Sequence, residues 1–508
     1  MIGVPIKVSR PLMRFPPFST RTRADRAVVA GTVAEREPAV LPPPRGLVGR
    51  RSGSAGAVRR AARAPARALV LIVLASAAIA IIAAAHKSGL VPPAKGGFPG
   101  WMAGPFKGLA SGLTRDRDVL SLVFSGLLVL MTGCYALALA GGRHVRMRWA
   151  VAAIVTAHVF MVLCPPLTLT DVFNYFDYGR LGTLHDLNPY VAVLSDAKHD
   201  ASFPFTTWHH LSSPYGPLFT LLTYALVPLG LPVGYWVLKV LTMAASLASL
   251  LLVARIARRL GRPEVPAVLF VGLNPLLLVF GLGGVHNDFF TMLLVVAGIA
   301  LVLEHREARA GAALVAAVGV KVTAAMLLPF ALLGSRDRLR AAGGALLAAG
   351  AIAAASLVAF GLHGPALGAQ THLVSPLGLM NLLGLAFGFG GETEGMRVGS
   401  QLVLVGVLAY LALRTWRGAS WIVMSGWAVL ALVLSLSWVV PWYVMWLLPF
   451  AAIGASRRLR VATLALTLLL LVTSLPATAQ LLADGVGWYP NHTKLGRKHV
   501  KEIRKYLK

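Results

Sequence analysis

Acidic residues are scarce in this chain, 19 of 508, so the places where they gather are informative. Asp171, Asp177 and Asp186 fall together in "TLTDVFNYFDYGRLGTLHDLNPYV", residues 168–191. A carboxylate there can take a proton, cap the helix that "VFNYFDYGRL" predicts, or pair with a cation. Asp171, at the start of that helix, is placed to cap it, and Asp177, three residues before Arg180, is placed to pair with that cation, with Asp177 and Arg180 also standing as candidate substrate contacts. A second group, His286, Asn287 and Asp288, follows two glycines in "GGVHNDFF". Asn and Asp suit a tight turn on conformational grounds alone. Three hydrogen-bonding side chains exceed what turning requires, and they suit contact with a sugar or a phosphate. One His and one Asp without further spaced ligands make a poor metal site, so no metal and no other cofactor is expected.

The third candidate is Lys321, set midway along an apolar run. A lysine at bilayer depth costs roughly 2.5–3.5 kcal/mol on insertion scales, so either a bound anion offsets it or the chain snorkels to water. A phosphate is the anion expected. Tyr215 in "SPYGPLF" and Trp442 and Tyr443 in "PWYVMW" complete the set of substrate contacts. Trp438, Trp442, Tyr443 and Trp446 also fit an interfacial aromatic belt.

The elements that must hold these residues are membrane helices. With 57% hydrophobic residues, 13% charged residues and a mean hydropathy of +0.71, the chain is too apolar for a soluble domain, and its apolar runs reach the roughly 18–20 residues that span a bilayer. The net charge of +29 does not point to nucleic acid, because Lys and Arg sit in tails and in short clusters flanking apolar runs, where they set topology. Cys134 and Cys164 lie in apolar runs and read as small buried hydrophobes. Residues 1–66 carry thirteen Lys or Arg against Asp25, Glu35 and Glu37, which reads as a disordered cytoplasmic tail.

Counting basic clusters as inside orders the spans. Residues 67–85 lead out, 118–140 return to Arg143, Arg146 and Arg148, and 149–165 lead out to a first large outer loop, 166–212. Residues 216–230 then read as a short interfacial or re-entrant helix before a span at 231–254. The stretch between Arg309 and Arg336 reads as a hairpin of two half-helices with Lys321 at its apex. Residues 265–283 and 289–303 flank the "GGVHNDFF" turn; 341–361 and 399–413 flank a long Gly-rich loop; 420–438 lead out to "PWYVMW". A final span, 461–479, leaves the tail 481–508 outside, although that tail is strongly basic. The expectation is 10 to 13 spans in a transmembrane domain over 67–480, with no internal repeat. The polar candidates converge on the outer face, so any chemistry is extracytoplasmic, whereas a lipid or sugar transporter or flippase would string polar groups through both membrane halves.

The segments "TDVFNYFDYGRLGTLHDLNPY", "SPYGPLF", "NPLLLVFGLGGVHNDFF", "VKVTAAMLLPF" and "VVPWYVMWLLP" occur in the order and spacing of a known family. Over residues 67–480 the chain resembles the polyprenyl-phosphomannose-dependent α-1,6-mannosyltransferases of actinobacteria, which are GT-C membrane glycosyltransferases. The resemblance implies an all-α polytopic bundle in the plasma membrane. It also implies transfer of mannose from a polyprenyl-phosphate donor to a mannan or lipoglycan acceptor, with inversion, and by motif position it makes Asp171 the general base. Another polyprenyl-phosphate sugar, such as arabinofuranose, is the alternative donor.

Overall fold

A computed structural model describes residues 52–508 apart from 86–89, 92–98, 111, 113–115, 169, 486 and 508. Among the described residues there is no strand. Helix α1 (Ser52–Ala83) begins well before the first expected span. Residues 52–66, assigned above to a disordered tail on their charge, are helical, because "AVRRAARAPARALV" is rich in Ala and Arg, both strong helix formers. The rest of that tail lies outside the described residues.

Helix α2 (Arg117–Ala140) starts where the Asp116 carboxylate accepts the Asp118 and Val119 N–H groups at 2.8 and 3.3 Å, and α3 (Met147–Leu163) follows. The segment 166–212 opens with α4 (Asp171–Leu184). Helix α5 (Pro217–Leu226) is short and α6 (Leu231–Arg259) is long. Helix α7 (Glu264–Gly272) stops before Asn274, whose side-chain oxygen accepts the Leu276 and Leu277 N–H groups at 3.1 and 3.3 Å. A π-helical turn over Leu277–Leu282 and a tight turn then lead into α8 (Asp288–Leu303). Helices α9 (Glu307–Val320) and α10 (Leu328–Gly334) form the expected hairpin, closed at its open end by the Arg336 N–H donating to Glu307 Oε1 at 3.1 Å.

Helix α11 (Arg338–Phe360) lies along α9. The Gly-rich loop beyond it contains α12 (Leu379–Ala386), and the chain continues through α13 (Glu394–Trp416) and α14 (Trp421–Ser435). After a 3₁₀ turn over Pro441–Trp446 come α15 (Leu448–Ile453), α16 (Arg457–Ser474), α17 (Pro476–Gln480) and the C-terminal α18 (Lys494–Leu507).

Among the described residues five helices are long and apolar enough to span a membrane, or six if the α16 pair bent by 59° counts as one. The other apolar segments are helices of 10–17 residues, fewer full spans than the 10 to 13 expected. Several of their breaks fall at Pro, Asn or Gly, and those around α7, α8 and α15 are mostly buried, so that protein rather than lipid meets the irregular backbone there. The long helices α11 and α13 instead expose apolar side chains: Leu346, Leu347 and Leu402 are 72%, 79% and 67% exposed. A surface of that kind is a lipid-facing one.

Helices α9 and α11 approach closely through small residues. A Cβ at Gly311 would stand 2.0 Å from the Ala341 carbonyl oxygen, and one at Gly344 would stand 1.9 Å from that of Ala308. Small residues permit this backbone contact where no hydrophobic effect drives helices together. Gly311→Ala is therefore expected to force the helices apart and cost about 1–3 kcal/mol. Gly350→Ala, in the open on α11, is the control and should leave the thermal midpoint in detergent unchanged or slightly raised. Equal midpoints for the two variants would refute the packing argument.

Candidate functional site

The first residues of α4 and α8, the apex of the α9–α10 hairpin and the 3₁₀ turn before α15 line one cavity of about 120 Å³. Helix α9 stops at Lys321, which is extended (φ −148°, ψ 118°). Its Nζ donates to Asp288 Oδ1 at 2.6 Å, and Trp446 Nε1 donates to the same oxygen at 2.6 Å. The rings of Tyr443 and Trp446 stack at 4.1 Å. The Lys321 ammonium stands 5.2 and 4.9 Å from their centroids, within cation–π range. The apex is also pinned from below: the Gly216 N–H donates to the Val320 carbonyl at 3.0 Å. Any Cβ at position 216 would meet the Gly319 carbonyl oxygen at 2.2 Å, so this contact requires glycine.

Asp171 faces the same cavity from the first position of α4. Neither it nor Thr170 caps that helix through its side chain; Thr170 Oγ1 bonds Thr207 Oγ1 at 2.5 Å instead. Asp171 Oδ2 lies 3.5 Å from His286 Nδ1, and the Tyr175 hydroxyl lies 3.5 Å from the same nitrogen. The imidazole stacks on Trp442 at 3.7 Å and 10°. Burial pushes the Asp171 carboxyl up to about 6, against the Lys321 charge and the Trp208 side chain, which favour the ionised form, and with the Asp288 charge adding to the rise. Burial pulls His286 down to about 3, so the ring beside Asp171 is neutral at physiological pH. Val285, which delivers His286, has φ +58°, a strained conformation for a β-branched residue.

Several polar atoms on the cavity wall are unanswered. Both side-chain atoms of Asn174, both of Asn287, and His286 Nε2 find no hydrogen-bond partner among the described residues, and all three residues are 1% exposed. Buried polar groups are normally paired. A ligand rich in hydroxyls would supply the missing partners.

Of the residues singled out from sequence, Asp171, Tyr215, His286, Asn287, Asp288, Lys321, Trp442 and Tyr443 line this cavity, whereas Asp177 and Arg180 do not. The expected Asp177–Arg180 pair gives way to another arrangement. The segment after α4 folds back so that Arg180 Nε and His185 Nε2 each meet an Asp200 oxygen at 2.7 Å, and Ser202 Oγ bridges Asp177 and Asp200. Sequence reasoning passed over Asn174, although it stands three residues from Asp171 on one helical face. It also took Trp446 for an interfacial residue, although its indole N–H bonds Asp288.

A family described as "Alpha-(1->6)-mannopyranosyltransferase, N-terminal domain" matches residues 69–335, and glycosyltransferase family 87 matches residues 214–476. The chain is 29% identical over 434 residues to alpha-(1->6)-mannopyranosyltransferase A of Mycobacterium tuberculosis, covering 73% of this chain and 82% of that one. It is 32% identical over 189 residues to the protein of the same name from Corynebacterium glutamicum, covering 34% and 35% of the two chains. A probable alpha-(1->6)-mannopyranosyltransferase of Mycolicibacterium smegmatis is 28% identical over 197 residues, covering 37% and 34%. No solved structure matches the chain.

The Lys321 cation, expected from sequence to await a ligand anion, already has a protein anion in Asp288, which is 1% exposed. Lys321→Met should therefore strand a buried carboxylate and destabilise the protein by about 3–5 kcal/mol. Adding Asp288→Asn should recover most of the loss, because the double variant removes both members of the ion pair. Thermal midpoints in detergent for the single and double variants check this; a Lys321→Met midpoint equal to the parent's would show that the pair contributes nothing to the fold.

Proposed function

The chain belongs to the α-(1→6)-mannopyranosyltransferase family, and on that premise we propose that it moves a mannosyl residue from a polyprenyl-phosphate donor to a hydroxyl of a mannan or lipoglycan. The transfer forms an α-1,6 linkage with inversion, at the extracytoplasmic face of the plasma membrane. The observation that carries this reading is the pairing, in one cavity, of a carboxylate free of any Lys or Arg ion pair among the described residues, Asp171, with the half-buried cation Lys321.

In this reading Asp171 takes the proton from the acceptor hydroxyl while the oxygen bonds to the anomeric carbon. The bond from that carbon to the phosphate oxygen breaks as the new one forms, and the electron pair leaves with the phosphate. The leaving phosphate needs no proton, so a single carboxylate suffices. Lys321 holds the growing phosphate charge in a site away from bulk water, where a preorganised cation is most effective. Asp288 and Trp446 fix its position. The sugar hydroxyls meet Asn174, Asn287 and His286 Nε2, and the neutral state of His286 leaves the charge of Asp171 available for proton transfer. The charge on the leaving group is met by the protein, so turnover is expected to continue in EDTA.

Asp171→Asn should keep the fold and donor binding and lose turnover by on the order of 10²- to 10⁴-fold. A base has to be ionised, so the parent's rate should fall as pH drops through about 6, the value to which burial raises Asp171. Initial rates of purified protein with a polyprenyl-phosphomannose donor and an oligomannoside acceptor, measured across pH, test both points. Near-parental turnover in Asp171→Asn would remove this residue from the mechanism.

A further inference from the structure

The C-terminal α18 carries six cations, Lys494, Arg497, Lys498, Lys501, Arg504 and Lys505, and one acid, Glu502, paired with Lys505 at 2.7 Å. All six are exposed, and their spacing of three to four residues puts them along one side of the helix. The opposite side is bound to the protein. His499 is buried, Thr493 Oγ1 just before the helix donates to the Gly390 carbonyl at 2.5 Å, and the His210 N–H donates to the Tyr506 carbonyl at 3.1 Å. An amphipathic helix that lies in a membrane interface puts its apolar side in lipid. Here the helix is tied to the protein through His499 and near both ends, its apolar residues Leu495, Val500 and Ile503 are half-buried, and the basic side faces outward.

The place of α18 is as informative as its charge. Trp208 and Leu211, on either side of His210, line the reaction cavity. The residues leading into the helix, Trp488 to Asn491, wall a second cavity of about 560 Å³, formed otherwise mostly by apolar side chains such as Leu466, Leu469 and Leu470 of α16. Trp438 and Val440 belong to the walls of both cavities. On the same helix Leu468 and Val472 are each 51% exposed, the kind of surface that faces lipid. A basic shelf, an apolar chamber and the reaction cavity thus adjoin one another.

We propose that the second cavity and α18 form the site of a lipid-anchored acceptor. An apolar chain of the acceptor lies among Leu466, Leu469 and Leu470, its anionic phosphodiester headgroup rests on Lys498, Lys501 and Arg504, and its sugar reaches the reaction cavity past Trp438 and Val440. This assignment rests on the mannosyl-transfer reading above. The donor does not fit the shelf: the phosphate that is cleaved must lie beside Lys321, within the reaction cavity, whereas the cations of α18 stand outside it. They suit a phosphate that is retained. On that reading the shelf is extracytoplasmic, against the topological preference for positive charge inside, and an anionic ligand gives those charges a role there.

The test compares two acceptors with identical acyl chains, a mannosylated phospholipid and the neutral diacylglycerol mannoside, on the detergent-purified full chain. The variants are the triple substitution Lys498→Gln, Lys501→Gln, Arg504→Gln, and Leu469→Trp, which fills the apolar cavity. The parent should bind the phospholipid about tenfold more tightly than the neutral lipid, with a preference that weakens as salt rises. The triple variant should lose that preference and keep the parental kcat on the neutral acceptor. Leu469→Trp should raise KM for both lipids and leave turnover of a soluble oligomannoside unchanged. No preference in the parent, or a preference that survives in the triple variant, overturns the shelf; unchanged lipid KM in Leu469→Trp overturns the chamber. A salt-sensitive preference for phospholipid in a parent that glycosylates neither lipid nor oligomannoside would instead defeat the mannosyl-transfer reading and leave the lipid site standing.

Discussion

A lysine inside an apolar bundle has to be answered, and the contact that answers Lys321 organises everything around it. Asp288 Oδ1 accepts from both Lys321 Nζ and Trp446 Nε1, so one oxygen joins the start of α8, the apex of the α9–α10 hairpin and the turn before α15. Those segments are far apart in sequence and irregular in backbone. In a medium that offers no hydrogen bonds, a broken helix survives only where protein meets its freed groups. The apex is such a break: the Val320 carbonyl is taken by the Gly216 N–H, and only glycine fits there.

The consequence is that the candidate chemistry sits at interruptions. The turn before α8, the extended residue after α9 and the 3₁₀ turn before α15 each replace a regular helix at the cavity wall, and the helices they border are too short to cross a bilayer alone. Outside them, long helices such as α6, α11 and α13 meet lipid and carry no residue of the site. Short interior elements hold polar groups at depth, and long peripheral ones keep the bundle in the membrane. The close approach of α9 and α11 at Gly311 and Gly344 ties the two classes together.

Much of this was legible in the sequence, because membrane burial constrains composition strongly. Apolar run length predicts the long spans, one apolar run between the basic clusters at Arg309 and Arg336 predicts the hairpin, and "GGVHNDFF" carries more polar groups than turning needs. What stayed hidden depends on distant segments. Nothing near Asp177 in sequence says that Asp200 will fold back to take Arg180. Nothing local separates Trp446, bonded to Asp288, from an indole in an interfacial belt. Asn174 looks like any polar residue of a loop helix until the cavity is assembled around it. The helical start at Ser52 runs against the charge of that segment and follows the helix propensity of its Ala and Arg residues.

The two cavity aspartates begin their helices in the same way, yet their surroundings divide them. At the N-terminus of a helix the backbone dipoles favour a carboxylate, which helps to keep Asp171 and Asp288 ionised in an apolar setting. Asp288 spends its charge on Lys321 and Trp446. Asp171 meets a neutral imidazole instead, and burial carries its carboxyl to about 6. Two like groups pushed into unlike environments are held differently: one is fixed as a counter-ion, and the other keeps the free carboxylate that the proposed base role requires. His286 maintains the division by remaining uncharged, since a cation at its position would draw Asp171 down and make it a second counter-ion. The strained backbone at Val285 delivers that ring, so the division of labour between the aspartates rests on the conformation of the turn between them.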